Sequence, residues 1–600
     1  MTDWRRALRS ICLPVFLLWF LACPAAAQST PTIHYTVSLA NPASHLVHVT
    51  IDLPAGAAER ELQLPVWNSL YQVRDFSQYL NWVKATDKSG RPLPMRELDK
   101  SRWRLSGAEN GAEIRYEIQA DLGTPYDAQL NDHHAFFHWA EVLMYSVAER
   151  GSPSQVKFAD VPDGWRMATA LEGSLAQGIS AENYDRLADS PIELGNFEEA
   201  DFDEGGGHYR IAVDADHADY NMPKIVAMVR SIVNTETAWM NDRPFRSYLF
   251  IYHFPEGPGG GGMEHSFCTA IDVNVRTLTD SPLALPSVTA HEFFHVWNVK
   301  RIVPQSLAPF DFAKENYTTS LWFSEGFTSA VEDYALLRGG IMGEKEYFSR
   351  LAAQIGELER RPAHLTQSAE ESSLDAWLEK YSYYRLPERS ISYYNKGALL
   401  GVMLDLQMRE VSHGGASLRD LFQWMNLHYA QQGRAFPESD GVRQAAEAVS
   451  HGDFQEFFKR YVAGTGEIPW DDFLKGVGLR LERHASSVAD LGFVAVRNFN
   501  AAPAVTRVAA EGAAYRAGLT VGDSIVELSG RVTGGDYEER IAQVRPGETI
   551  RLRVKDRSGE RELHWKVDKR EDYAFELVDL PHLSREQKAR RAAWLKAEDQ

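Results

Sequence analysis

The sequence predicts an α+β chain of several domains: a β-rich N-terminal domain, a mostly helical middle domain and a small β-rich C-terminal domain. Three observations predict it. At 600 residues the chain is too long for one hydrophobic core, so two to four domains are expected. The composition is globular, with 44% hydrophobic and 24% charged residues. The texture changes along the chain, from alternating strands to long helical periods and back to short strands.

The first element is not part of the fold. "MTDWRRALRS" supplies a basic segment with Arg5, Arg6 and Arg9, "ICLPVFLLWFLAC" a short apolar one, and "PAAAQ" a small-residue cleavage site after Ala27. This is the pattern of a secretory signal over residues 1–27. The apolar run is too short to span a bilayer comfortably, so no transmembrane helix is expected in the mature chain. An exported protein follows, most simply periplasmic. "FLAC" also resembles a bacterial lipobox, which would anchor the chain through Cys23. Removing the signal leaves Cys268 as the single mature cysteine of three, so no internal disulfide forms.

Residues 28–204 form the β-rich domain, on stretches such as "IHYTVSL", "HLVHVTIDL" and "EIRYEIQADL". Residues 205–482 form the middle domain. It opens on the amphipathic helix "YNMPKIVAMVRSIVNTETAWM", followed by the strand "SYLFIYHF" and the glycine loop "EGPGGGGMEHSFCTAIDV". Residues 483–575 return to short strands. The tail, 576–600, includes "SREQKARRAAWLKAEDQ", with Ser584 and Gln587 in capping-box spacing, and reads as a charged, solvent-facing helix. The net charge of −20 argues against nucleic acid or an anionic membrane as the main partner.

The chemistry lies in "TAHEFFHVWNVKR". On a helix, positions four apart share a face, so His291 and His295 can meet one Zn²⁺, with Glu292 beside it as general base. A third ligand decides between a metal site and two unrelated histidines. Glu325, in the helix "SLWFSEGFTSAVEDYALLR", supplies it on a rigid element. Glu315, in "DFAKENYT", is the competitor and sits on a loop or helix start. Two histidines and a glutamate would leave an open coordination position, as a catalytic zinc requires. "GGGGMEH" places Glu264 after the glycines Gly259 to Gly262 on an apparent edge strand. Gly261 and Gly262 there would let a substrate backbone come close, and Glu264 could hold a positive group. In "SYYNKGALLGVMLDL" the Tyr394 phenol could donate to an oxyanion.

In order, "GGMEH", "HEFFHVWNVKR", "LWFSEGFT" and "YYNKGALL" resemble the gluzincin metallopeptidases, and most closely the glycyl aminopeptidase family. "LPVWNSLYQVRDF" in the β-domain also resembles that family, with Asn68-Ser69-Leu70 in place of the usual Pro-Gly. The resemblance implies a thermolysin-like catalytic domain and a C-terminal PDZ domain. It implies His291, His295 and Glu325 as ligands of one zinc per chain, and Glu292 as the base toward a zinc-activated water. Tyr394 would stabilise the tetrahedral intermediate, and Glu264 would hold the free α-amine of a peptide. His265 stands where related aminopeptidases carry Asn, and is expected at the substrate. The expected activity is removal of a small first residue, Gly or Ala, from peptides with a free N-terminus. Two other functions fit the same residues: a zinc endopeptidase of exported proteins, and a PDZ-containing binding or chaperone protein with a non-catalytic zinc. In the PDZ region, "LGFVAV" and "AAYRAGLTVGDSIVELSG" would form a groove for a C-terminal peptide, with Asp490 placed to repel its carboxylate.

Overall fold

The computed structural model describes residues 31–68, 70–257, 260–379, 386–496, 502–534 and 536–596. The expected signal segment with Cys23, together with Gly259 and Ser69, lies outside the described residues.

The N-terminal domain follows from period-two sequences. Strands Ile33–Ser38, Leu46–Leu53 and Ala112–Gln119 each bury alternate residues, which places one face of a seven-stranded sheet on a core. That core includes Tyr35, Trp103, Tyr116 and Trp139, all nearly inaccessible. A separate four-stranded sheet contains His134–Phe137 and Ile192–Gly195, both buried along their whole length. Continuous burial means that both faces are covered. Phe136 and Ala168 meet Ala212, Ile251 and Ala270 of the next domain in a shared apolar cluster. The two domains are therefore packed through sheet faces.

The middle domain begins slightly earlier than expected. Strand Glu198–Glu204 pairs with Gly207–Asp214, so the boundary at 204 falls inside a hairpin of the catalytic sheet. That sheet continues through Ser247–His253 and Cys268–Val273 to the outer strand Gly260–Glu264, which runs antiparallel to its neighbour. Around it lie the helices Met222–Met240, Ala284–Phe294, Leu321–Ser324, Gly326–Arg338 and Tyr393–Val411. Their shared core contains Trp297, Trp322, Phe323 and Phe422.

The C-terminal region is β-rich and has its own small core around Ile525, Leu552 and Trp565. A twelve-residue ribbon, Leu479–Asp490 against Asp568–Asp579, joins it to the middle domain. The tail helix Arg585–Lys596 differs from the solvent-facing helix expected. Trp594 and Leu595 are buried, and the Trp594 indole donates to the Tyr334 hydroxyl at 2.9 Å. The charge pattern hid this, because polar residues of the tail dock as well: Gln587 donates to the Lys475 carbonyl, and Arg591 to the Val477 and Gly478 carbonyls.

Candidate active site

The helix Ala284–Phe294 carries His291 and Glu292 in its last turn, and His295 is its C-terminal cap. The two imidazoles lie 4.7 Å apart between ring centroids. Glu325 sits between two helical pieces, Leu321–Ser324 and Gly326–Arg338, with φ −99° and ψ −47°. The predicted single helix is thus interrupted at the residue that faces the histidines. His291 Nε2 and His295 Nε2 lie 3.2 and 3.3 Å from the same Glu325 oxygen.

The outer nitrogens fix the orientation of both rings. His295 Nδ1 donates to the Asn298 carbonyl, and His291 Nδ1 lies 3.4 Å from Glu332. Each ring therefore keeps its Nε2 lone pair for the centre of the site, the usual arrangement around a metal-binding histidine. Burial opposes ionisation of Glu325, but His295 and His291 hold its carboxyl well below the ordinary carboxylate range. Two imidazoles and one carboxylate, all buried and converging on one point, supply the donor set of a zinc ion. Glu315 does not compete. It is exposed and hydrogen-bonded to the Tyr317 hydroxyl at 3.1 Å.

Glu292 lies beside this set. Burial pushes its carboxyl up to about 7, and its Oε2 has no hydrogen-bond partner among the described residues. The side chain lies over the outer strand. A Cβ at Gly262 would sit 2.4 Å from Glu292 Cγ and Oε1, and one at Gly261 2.1 Å from the Tyr126 hydroxyl. Gly261 also has φ +133°. Glycine at these positions lets the strand run directly under the base. Glu264, at the end of that strand, has a carboxylate oxygen within 4.8 Å of ligand atoms of Glu292 and His295. It forms no ion pair among the described residues.

Tyr394 reaches the site from the first turn of Tyr393–Val411, its ring 6.0 Å from that of His291. Burial, then Glu325, raise its pKa well above the ordinary tyrosine value, so the phenol stays a hydrogen-bond donor. Its position depends on a glycine contact. A Cβ at Gly397 would meet the Trp322 carbonyl oxygen at 2.1 Å, and one at Gly326 would meet Gly397 Cα at 2.4 Å. The two helices cross backbone to backbone, which brings Glu325 and Tyr394 to one cavity of about 390 Å³.

That cavity collects His291, Glu292, His295, Glu325, Tyr394 and Glu264, with Gly261 and Gly262 in its wall. His265 is not among them. It is 1% exposed, points away from the cavity, and lies 3.2 Å from Asp189 of the N-terminal domain. Side chains alternate along a strand, so a glutamate facing the cavity turns the next residue inward. Lys300 joins the same half-buried carboxylate at 3.0 Å. The expected substrate contact is therefore replaced by an inter-domain anchor.

Sequence reasoning missed three residues. Tyr71 and Tyr126, both from the N-terminal domain, line the cavity opposite the HExxH helix. Burial, Glu325 and Glu264 raise the Tyr71 phenol well above its ordinary pKa. Tyr71 lies in the quoted stretch "LPVWNSLYQVRDF" but nothing there assigns it to the site, and nothing local marks Tyr126, because both arrive across a domain boundary. Glu332 behind His291 was within reach, lying seven residues after Glu325 on the same helical face.

The family model for the M61 peptidase N-terminal domain matches residues 34–196, and that for M61 glycyl aminopeptidase matches residues 284–400. A search of curated proteins finds no match. A crystal structure of an aminopeptidase N family protein from Idiomarina loihiensis superposes with a TM-score of 0.83 at 25% identity. It covers 94% of this chain and 100% of that one. An M1 zinc metallopeptidase from Deinococcus radiodurans has a TM-score of 0.45 at 12% identity, covering 74% and 95% of the two chains.

Proposed function

We propose that this chain is a zinc aminopeptidase that removes a small first residue, Gly or Ala, from peptides with a free N-terminus, a reading that the matched peptidase family and the superposed aminopeptidase N family structure support. The observation that carries the reading is Glu264. The residue is 9% exposed, shares the cavity with the metal ligands, and forms no salt bridge among the described residues, its electrostatic neighbour Lys300 being bound to Asp189. A buried carboxylate without a cation is costly unless a ligand supplies the charge, and a peptide α-ammonium would do so one residue from the scissile bond.

His291, His295 and Glu325 would hold the zinc, which supplies Lewis acidity toward the scissile carbonyl and acidifies water. Glu292, beside the ligands, takes the proton of the attacking water and returns it to the leaving amine. The Tyr394 phenol donates to the oxygen on which charge develops. Gly261 and Gly262 present the unpaired backbone of the outer strand to the substrate main chain. Tyr71 and Tyr126 close the opposite wall, which favours a small first side chain. The description of the matched model as a glycyl aminopeptidase supports the same preference.

The C-terminal β-rich region supports a PDZ reading less directly. Gly492, at φ +71°, donates its amide to Asp490 Oδ1 at 3.0 Å. A carboxylate of the chain itself thus occupies an amide that a C-terminal peptide would need, which favours a packing role. Export of the chain to a periplasm is proposed on the sequence of residues 1–27 alone.

The experiment compares Gly- and Ala-anilides with their N-acetylated twins, on wild type and Glu264→Ala. A charge-assisted hydrogen bond to a buried ammonium contributes roughly 1.5–3 kcal/mol, so losing it should lower kcat/KM about ten- to a hundred-fold. Acetylation removes the charge without touching the scissile bond. Equal cleavage of both forms by wild type would replace this reading with an endopeptidase.

A further inference from the structure

A second histidine and carboxylate cluster lies away from the peptidase cavity, at the junction of the two domains. His134 and Glu193 come from the buried N-terminal sheet, on strands His134–Phe137 and Ile192–Gly195. Asp214 and His253 end two adjacent parallel strands of the catalytic sheet, and Asp272 lies beside them. Their Cα atoms are paired in register, Asp214 with His253 and His253 with Asp272.

The geometry is that of a ligand set with its supporting shell. His134 Nδ1 lies 3.0 Å from Glu193 Oε1 and 2.9 Å from Asp214 Oδ2. His253 Nε2 lies 3.1 Å from the other Glu193 oxygen. The outer nitrogens are both engaged by acceptors: His134 Nε2 by Gln129 Oε1 at 2.8 Å, and His253 Nδ1 by Asp272 Oδ1 at 2.9 Å. An acceptor takes an N–H, so each neutral ring directs its remaining lone pair at a carboxylate oxygen. Lone pair against lone pair is repulsive, and either a cation at the centre or a second proton on each ring, which burial opposes and the neighbouring carboxylates favour, resolves it. His134, Glu193 and His253 can bring one ligand atom each within 4.8 Å of one another, as can His291, His295 and Glu325. Rings held by outer acceptors with their inner nitrogens on a shared carboxylate are common to both sets.

We propose that His134, His253 and Glu193, with Asp214 beside them, form a second metal site, for a divalent transition cation of the zinc class. Two imidazoles and one carboxylate supply three ligand atoms within reach of one ion, with Asp214 2.9 Å from His134 Nδ1 beside them; lying at the domain junction away from the peptidase cavity, the ion would have a structural role. Glu193 is fully buried, and a cavity of about 190 Å³ lined by His134, Asp214, His253 and Asp272 gives an ion entry. No Lys or Arg pairs with these carboxylates among the described residues. The ion would staple the N-terminal domain to the catalytic sheet. Asp272 is paired in register with Gly261, so the staple stands directly behind the strand that lines the peptidase cavity.

The test is zinc stoichiometry by elemental analysis of the full chain, loaded with Zn²⁺ and dialysed against metal-free buffer. Wild type should retain two equivalents, Glu325→Ala one and His134→Ala one. Glu193→Gln, on the shared carboxylate, gives a second probe if His134→Ala does not fold, and should also reduce the count to one. Loading Glu325→Ala with Co²⁺ should still give visible absorption of a low-symmetry four-coordinate ion. One equivalent in wild type that Glu325→Ala abolishes would overturn the proposal and assign the cluster to protonated histidines paired with carboxylates. One equivalent in wild type that survives Glu325→Ala but is lost in His134→Ala would instead remove the catalytic zinc and leave this site standing.

Discussion

Glu292 and Tyr394 are tied to the site by separate physical causes, and substitutions separate them. Glu292 sits beside the ligands rather than among them, so Glu292→Gln should keep its zinc by elemental analysis while losing most turnover. The Tyr394 phenol is held protonated by burial and by nearby Glu325. Its donated bond strengthens as charge develops, so Tyr394→Phe should lower kcat much more than it changes KM. Steady-state kinetics on a free-amine anilide check both. An unchanged kcat in Tyr394→Phe would remove the tyrosine from the mechanism. His265 shows the opposite case, a residue adjacent to Glu264 in sequence that the strand's alternation turns into the domain interface.

At the scale of elements, the site depends on two close approaches made possible by glycine. The outer strand passes under Glu292 at Gly261 and Gly262, and two helices meet at Gly326 and Gly397. A methyl at Gly397 would lie 2.1 Å from the Trp322 carbonyl oxygen, a backbone atom that cannot swing aside. Gly397→Ala should therefore push Tyr393–Val411 off the Glu325 helices, at a cost of about 1–3 kcal/mol. The shift should reduce kcat as well, because it separates Tyr394 from the ligands. Thermal unfolding and kinetics on the same preparation check this. A variant that keeps both wild-type stability and wild-type kcat would show that the crossing does not position the site.

Across the whole molecule, distant parts of the chain converge on the catalytic domain. The N-terminal domain supplies Tyr71 and Tyr126 to the cavity and Asp189 to the His265–Lys300 anchor. The far C-terminus supplies Trp594, which packs on Tyr347 and Phe348 and donates to Tyr334, a residue of the helix that follows Glu325. Truncating a fully buried tryptophan costs about 3–5 kcal/mol. Trp594→Ala should therefore lower the unfolding temperature of the catalytic domain, read by calorimetry. An unchanged transition would make the tail an appendage.

The sequence by itself determined the three-part α+β organisation and singled out most of the side chains that the fold gathers in one cavity. Period-two burial marked the strands of the first domain. Helical spacing put His291 and His295 on one face with Glu292 beside them, and a rigid helix favoured Glu325 over the loop residue Glu315. Those signals are local: they depend on backbone periodicity and on residue type within one turn or one strand. Tertiary structure alone decided the rest. It turned His265 away, brought Tyr71 and Tyr126 across a domain boundary, buried Trp594, and gathered His134, Glu193, Asp214 and His253 from four separated strands. None of these follows from spacing along the chain, because each depends on where two independently folded surfaces meet. The physical reason is that packing joins faces, and which residues of a face become neighbours is fixed only when both partners are present.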